Sequence, residues 1–186
     1  MEPSRDAGPV ARARAELAAA RGKRRLDAIL GAADPRALVQ ALPAEELYFL
    51  VRDLGLADAA ELVPLSSPEQ FRAFLDLDAW RGSTPDPARV LPWLRAARAG
   101  AARSDAAMAR WKEQLGALDP ELLSLVLLDA LRIHDLQQDP DPELQGDRFL
   151  RTPEGRYLVE FRAEGADYAT ARALLDDLYA EDPLGA

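Results

Sequence analysis

Cysteine is absent from the 186 residues, and histidine occurs once, as His134. Without thiols there is no disulfide framework and no thiolate nucleophile. A zinc centre would lack its usual sulfur ligands and would have one imidazole at most. Long apolar runs are missing as well: none approaches the ~20 residues that span a bilayer. The opening Met1-Glu-Pro-Ser-Arg-Asp6 lacks the apolar core of a signal peptide. Neither a P-loop, a dinucleotide fingerprint nor a Gly-x-Ser-x-Gly elbow can be found. The expectation from these absences is a soluble protein of a reducing cytoplasm, non-enzymatic, with no cofactor, no resident metal and no membrane insertion.

Lysine is scarce: 21 arginines stand against only Lys23 and Lys112. With abundant alanine, that reads as GC-rich coding rather than function. Apolar residues make up 48% and charged residues 30%, ordinary for a folded chain of this length. The net charge of −9 is uneven. Residues 1–36 carry a net of +3, residues 37–118 a net of −2 and residues 119–186 a net of −10. An acidic last third repels phosphate backbones and argues against nucleic acid as a partner.

The chain repeats itself once. The stretch Ala37–Leu54 recurs without gaps as Ala60–Leu77, so that Leu42 falls on Leu65, Glu46 on Glu69, Tyr48 on Phe71 and Asp53 on Asp76. A period near 23 residues predicts short helix pairs stacked as successive layers, an architecture that usually binds rather than catalyses. Punctuation supports it. Asp34-Pro35 opens one helix and Pro43-Ala-Glu-Glu46 the next, which ends at Gly55. The second copy runs through a helix at 57–63 and then Ser67-Pro-Glu-Gln70, a capping box.

Around the repeat, residues 9–30 read as an Arg-rich helix that Gly22 can break. Asp86-Pro87 starts a helix carrying Pro92, which should kink or restart it. Ser104-Asp105 and Asp119-Pro120 open two more. The second of these, about 120–136, is apolar nearly all round and is expected at the centre of the core. After a polar connector at 137–147, Arg148–Arg162 reads as a β-hairpin. Pro153 sits at the first corner of a type I turn and Gly155 at the left-handed position. Tyr157, Val159 and Phe161 share one face, which must pack on a helix, or the hairpin must pair with a third strand. A final helix spans about 167–180.

The fold class expected is therefore mostly α: an N-terminal helical arm (1–33), an irregular superhelical-repeat core (34–136), and a connector, β-hairpin and C-terminal helix (137–186) packed on the core or on a partner.

No constellation of residues points to chemistry. His134 beside Asp135 could act as a general base, but a helix C-terminus also favours a cation there. Asp139, Asp141, Glu143 and Asp147 suggest calcium, yet the sixth and twelfth places counted from Asp139 hold Leu144 and Leu150, where an EF-hand needs Gly and Glu. Trp80, beside a Gly-Ser-Thr-Pro loop, and Trp93, beside Pro92, are candidate partner-binding aromatics, although core packing suits them too. Tyr157 and Phe161 join them on the hairpin, whose outer strand could accept a strand from a second copy.

The rhythm of Leu42-Pro-Ala-Glu-Glu-Leu47 and Ser67-Pro-Glu-Gln-Phe71 is similar to the cytoplasmic N-terminal helical domain of the MgtE-type magnesium channels. For residues 35–77 that resemblance implies an acidic right-handed superhelix that helps to sense magnesium. The hairpin does not belong to that pattern, and no metal ligand carries over residue by residue. The whole chain also resembles an uncharacterised bacterial family, a domain of unknown function, which implies no activity. The functional expectation is an interaction or regulatory module with a protein partner or a homodimer. An acidic domain sensing divalent cations is the alternative, and an enzyme with an unrecognised site is the second.

Overall fold

In the computed structural model of the protein, residues 22–82 and 84–181 are described, and they form a mostly helical structure with two small antiparallel sheets. Eight α-helices lie among them. Two compact units divide the described chain: residues 22–80 with 93–118, and residues 81–92 with 119–181.

In the first unit, α1 (Lys23–Leu30), α2 (Pro35–Gln40) and α3 (Ala44–Leu54) precede a 3-10 turn (Val63–Leu65) and α4 (Pro68–Asp78). The Arg-rich helix expected over 9–30 is seen from Lys23 onward, and its earlier part lies outside the described residues. Helix α1 buries Leu26 and Ile29 against α2. The local start signals act as chemistry requires. Asp34 accepts the Ala37 amide at 2.9 Å, and Ser67 and Gln70 form both halves of a capping box.

The long arms of the two copies, α3 and α4, are both helical and pack on each other. Their short arms differ. The first copy has helix α2, whereas the segment expected to be helical at 57–63 is a run of turns ending in the 3-10 turn. Pro64 accounts for part of this, because it has no amide to donate to a helical ladder. Further on, α5 (Pro87–Arg98) is one helix with Pro92 inside it and runs across the division between the units. Helix α6 (Asp105–Gly116), capped by Ser104, packs on α4 and on the 3-10 turn.

The second unit holds α7 (Pro120–Ala130), a three-stranded sheet and α8 (Gly165–Glu181). Two expectations are corrected here. The helix predicted to run to 136 stops at Ala130, and Leu131–Asp135 is a strand, β3. Nor is α7 central: Leu123, Val126 and Ala130 are buried, but Leu125 and Leu128 are exposed. The carbonyl of Ala130 accepts the amides of Arg162 (2.8 Å) and Ala163 (3.2 Å), which satisfies the helix end from across the sheet.

The predicted hairpin is present as β4 (Phe149–Arg151) and β5 (Tyr157–Phe161), in the order β3-β5-β4. The two-residue strands β1 (Trp80–Arg81) and β2 (Thr84–Pro85) complete the set. In the turn of the hairpin, the Gly155 amide donates to the Thr152 carbonyl at 2.8 Å, and Gly155 adopts φ +72°, as the type I turn with a left-handed residue requires. The register pairs Leu131 with Phe161 and Ile133 with Val159. Val159 and Phe161 pack with Ala171 and Leu175 of α8 in the core of this unit.

Candidate functional site

Of the four aromatics expected at an interface, Trp93 and Phe161 are buried. Trp93 is only 1% exposed. Its indole N–H donates to Asp78 Oδ2 at 2.9 Å, and its ring lies between Tyr48 and Phe74, with centroids 6.0 and 5.3 Å away. It is a core residue of the first unit rather than a surface one, because its polar atom finds a buried acceptor. Phe161 is likewise buried, edge-on to Tyr168 at 5.0 Å, on the central strand of the sheet rather than an outer one. Tyr157 is half-buried under the Arg156 guanidinium at 4.8 Å, and Trp80 is exposed.

His134 is on β3, not at a helix end, and its Nε2 lies 3.2 Å from Glu160 Oε2. The other carboxylate oxygen of Glu160 accepts the backbone amides of Gln145 (2.5 Å) and Gly146 (2.7 Å). Glu160 is buried at the middle of the sheet. Burial pushes its carboxyl upward, but the His134 hydrogen bond, the two amides and the Arg132 charge outweigh burial and hold it below the ordinary range. One oxygen thus fastens the polar connector to β5, and the other meets His134 on β3. Beside them opens a shallow cavity of about 370 Å3, lined in part by Arg148, Arg162 and Glu164. Nearby, Asp135 is held low by the Gln137 amide and by Arg156, its partner at 3.1 Å.

The larger cavity, about 600 Å3, lies in the first unit. Arg36, Arg103 and Arg110 reach it from α2, the turn after α5 and α6, above an apolar floor that includes Leu65 and the buried Trp111. Asp34 and Glu61 are its acids. Sequence reading missed these arginines: they are scattered among 21 and meet only through the fold.

In the second unit, Leu125 (42% exposed), Leu128 (57%) and Ile133 (53%) follow one another from α7 onto β3. The connector acids do not gather. Among the described residues no three His, Cys, Asp or Glu side chains could hold one ion, and no helix is long and apolar enough to cross a membrane.

No curated protein matches the chain, and no solved structure does. The resemblance of residues 35–77 to the MgtE-type domain is not confirmed by these comparisons. A family model does match, across residues 3–185 and so nearly from end to end. The chain belongs to that family, DUF6178, a family of unknown function.

Proposed function

We propose that the protein is a non-enzymatic interaction or regulatory module, which docks a second copy of itself through the second unit. The observation that carries this reading is the apolar strip Leu125, Leu128 and Ile133. Leu125 and Leu128 are three apart on one helix and therefore neighbours on its surface. Large side chains exposed together on a folded surface mark a contact more often than chance. Ile133 lies on β3, which ends the strand order β3-β5-β4, and an edge strand is a place where a second chain can pair. A superhelical stacking of the first unit's layers would suit the same role, as a rigid scaffold. The His134–Glu160 pair lies between two strands, and the other oxygen of Glu160 holds the connector, a structural use that agrees with a binding role.

The test is the solution mass of the purified protein by light scattering. A dimer is expected for the wild type, and a monomer for Leu125→Glu with Leu128→Glu. A wild-type protein that stays monomeric at micromolar concentration and carries no companion from its native cell would sink the reading.

A further inference from the structure

We propose that the arginine-lined cavity of the first unit binds a small organic oxyanion, a phosphate or carboxylate carried on a compact apolar body. This site is independent of the dimer surface, since every residue lining it belongs to the first unit.

Size comes first. A cavity of about 600 Å3 falls within the range of small-molecule sites. Charge comes next. Three guanidinium groups face it against two carboxylates, and one of those carboxylates, Asp34, is already used to accept the Ala37 amide at 2.9 Å. Arg36 is only loosely held, 4.0 Å from Glu113.

Arg110 is the third. Its Nε is enclosed and has no hydrogen-bond partner, so only the terminal nitrogens of its guanidinium can meet a ligand in the cavity. With Arg36 and Arg103 on the same lining, the cavity offers guanidinium groups that fit phosphate and carboxylate geometry in pairs.

Local structure prepares Arg103 for the same task. Gly100, at φ +77°, turns the chain out of α5 into a 3-10 turn, Ala101–Arg103. A Cβ at Gly100 would meet Arg103 Cδ and Nε at 3.4 Å, an ordinary contact, so the positive φ rather than space calls for glycine, and the arginine stem lies beside that turn. Helix α6 starts beside the cavity with Ser104, but Asp105 already occupies its first turn. The arginines, not the helix end, therefore provide the attraction. Leu65, Pro64 and Trp111 give an apolar body somewhere to rest.

The experiment titrates the full chain with inorganic phosphate, phenyl phosphate and benzoate, with sodium chloride at matched ionic strength as control. Binding is read by calorimetry and by the unfolding midpoint. At least one of the three oxyanions should bind saturably at one site, and at ~100 times its Kd should raise the midpoint by about 5 °C. The aryl compound that binds identifies the head group. Arg103→Gln, at an exposed position, should weaken binding by about tenfold or more without loss of fold. Arg110→Met should weaken binding similarly while leaving the ligand-free midpoint unchanged or higher, since it removes an unpaired buried N–H. The proposal is overturned if no oxyanion exceeds the chloride control, or if binding persists undiminished when Arg103→Gln and Arg110→Met are combined.

Discussion

Gln70 and Gln114 do the same work at two places in the first unit. The side-chain amide of Gln70 donates to the carbonyls of Val39 (3.0 Å) and Leu42 (2.8 Å) at the end of α2. That of Gln114 donates to the carbonyls of Val63 and Ser66, both at 3.0 Å, at the end of the 3-10 turn. In each case one buried NH2 from a long helix bonds two carbonyls, three residues apart, at the end of a short helical segment; Val39 and Val63 also accept the amides of Leu42 and Ser66, whereas Leu42 and Ser66 are the outer carbonyls of the pairs. The two glutamines differ on the oxygen side: Gln70 Oε1 accepts the Ser67 amide at 2.9 Å, while Gln114 Oε1 is buried without a partner.

Replacing Gln70 with Leu takes the side-chain partner from the Leu42 carbonyl and the Ser67 amide and leaves the Val39 carbonyl with the Leu42 amide alone. Stability should fall by about 3 kcal/mol, from ~1 kcal/mol or more for each buried group left unmade. Gln114→Leu leaves fewer groups unsatisfied and also removes an orphan oxygen, so about 2 kcal/mol is expected. Urea denaturation of the two variants checks the order. Equal losses would mean that the capping-box half of Gln70 contributes nothing.

Much of this fold could be read from short-range chemistry. Asp34, Ser67, Ser104 and Asp119 each cap the helix that the sequence assigns to them. Pro153 and Gly155 give the hairpin turn. Whatever depended on a distant partner stayed hidden. Leu131–Asp135 continues an apolar run with no period of its own, and it becomes a strand only because β5 offers a ladder. Gln70 stands at the place of Leu47 in the other copy, and pattern alone reads it as half of a capping box. Its second role, across the layer, depends on where α2 ends. The cavity arginines were illegible for the same reason, since nothing in their spacing brings three of them to one place.

Asp78 should prove the most sensitive acid of the first unit. It is buried, accepts Trp93 Nε1, and pairs with Arg52 at 3.2 Å. Tyr48 Oη also approaches it, at a long 3.4 Å. Asp78→Ala leaves the indole N–H without its acceptor and is expected to cost about 2–3 kcal/mol. Asp78→Asn keeps an acceptor oxygen for the indole but loses the charge toward the half-exposed Arg52 and one of two accepting oxygens, so a smaller cost of about 1–2 kcal/mol is expected. Tryptophan fluorescence gives an independent check: the Trp93 contribution should change in the alanine variant and stay nearly native in the asparagine variant.

The hairpin turn separates a backbone cost from a packing cost. Nothing lies within 4 Å of a Cβ built on Gly155, whose φ is +72°. Gly155→Ala should therefore cost about 1 kcal/mol through conformation alone. Gly155→Asn should cost less, because asparagine tolerates the left-handed region. Thermal unfolding of both variants decides. If alanine were neutral, the turn would have to relax to a negative φ, and the Gly155 to Thr152 hydrogen bond would be lost.

Glu160 sets an acid limit on the second unit. Its carboxyl is held below the ordinary range in the folded protein, where burial acting upward is outweighed by His134, the Gln145 and Gly146 amides and Arg132. For a group with a lowered folded value, stabilisation is complete above the unfolded value, ~4.3 for glutamate, and is lost as pH falls through the folded one. The connector should stay fastened at neutral pH and come loose only in acid. Glu160→Gln should lower the unfolding midpoint at pH 7, and the gap to wild type should close as pH drops below ~4. Asp135 and Glu69, also held low, titrate in the same direction in both proteins and cancel in that difference. Hydrogen exchange adds the local view: the Gln145 and Gly146 amides, protected by Glu160 at pH 7, should exchange freely in the variant. A gap that stayed constant down to pH 3 would show that shape, not charge, holds the connector on the sheet.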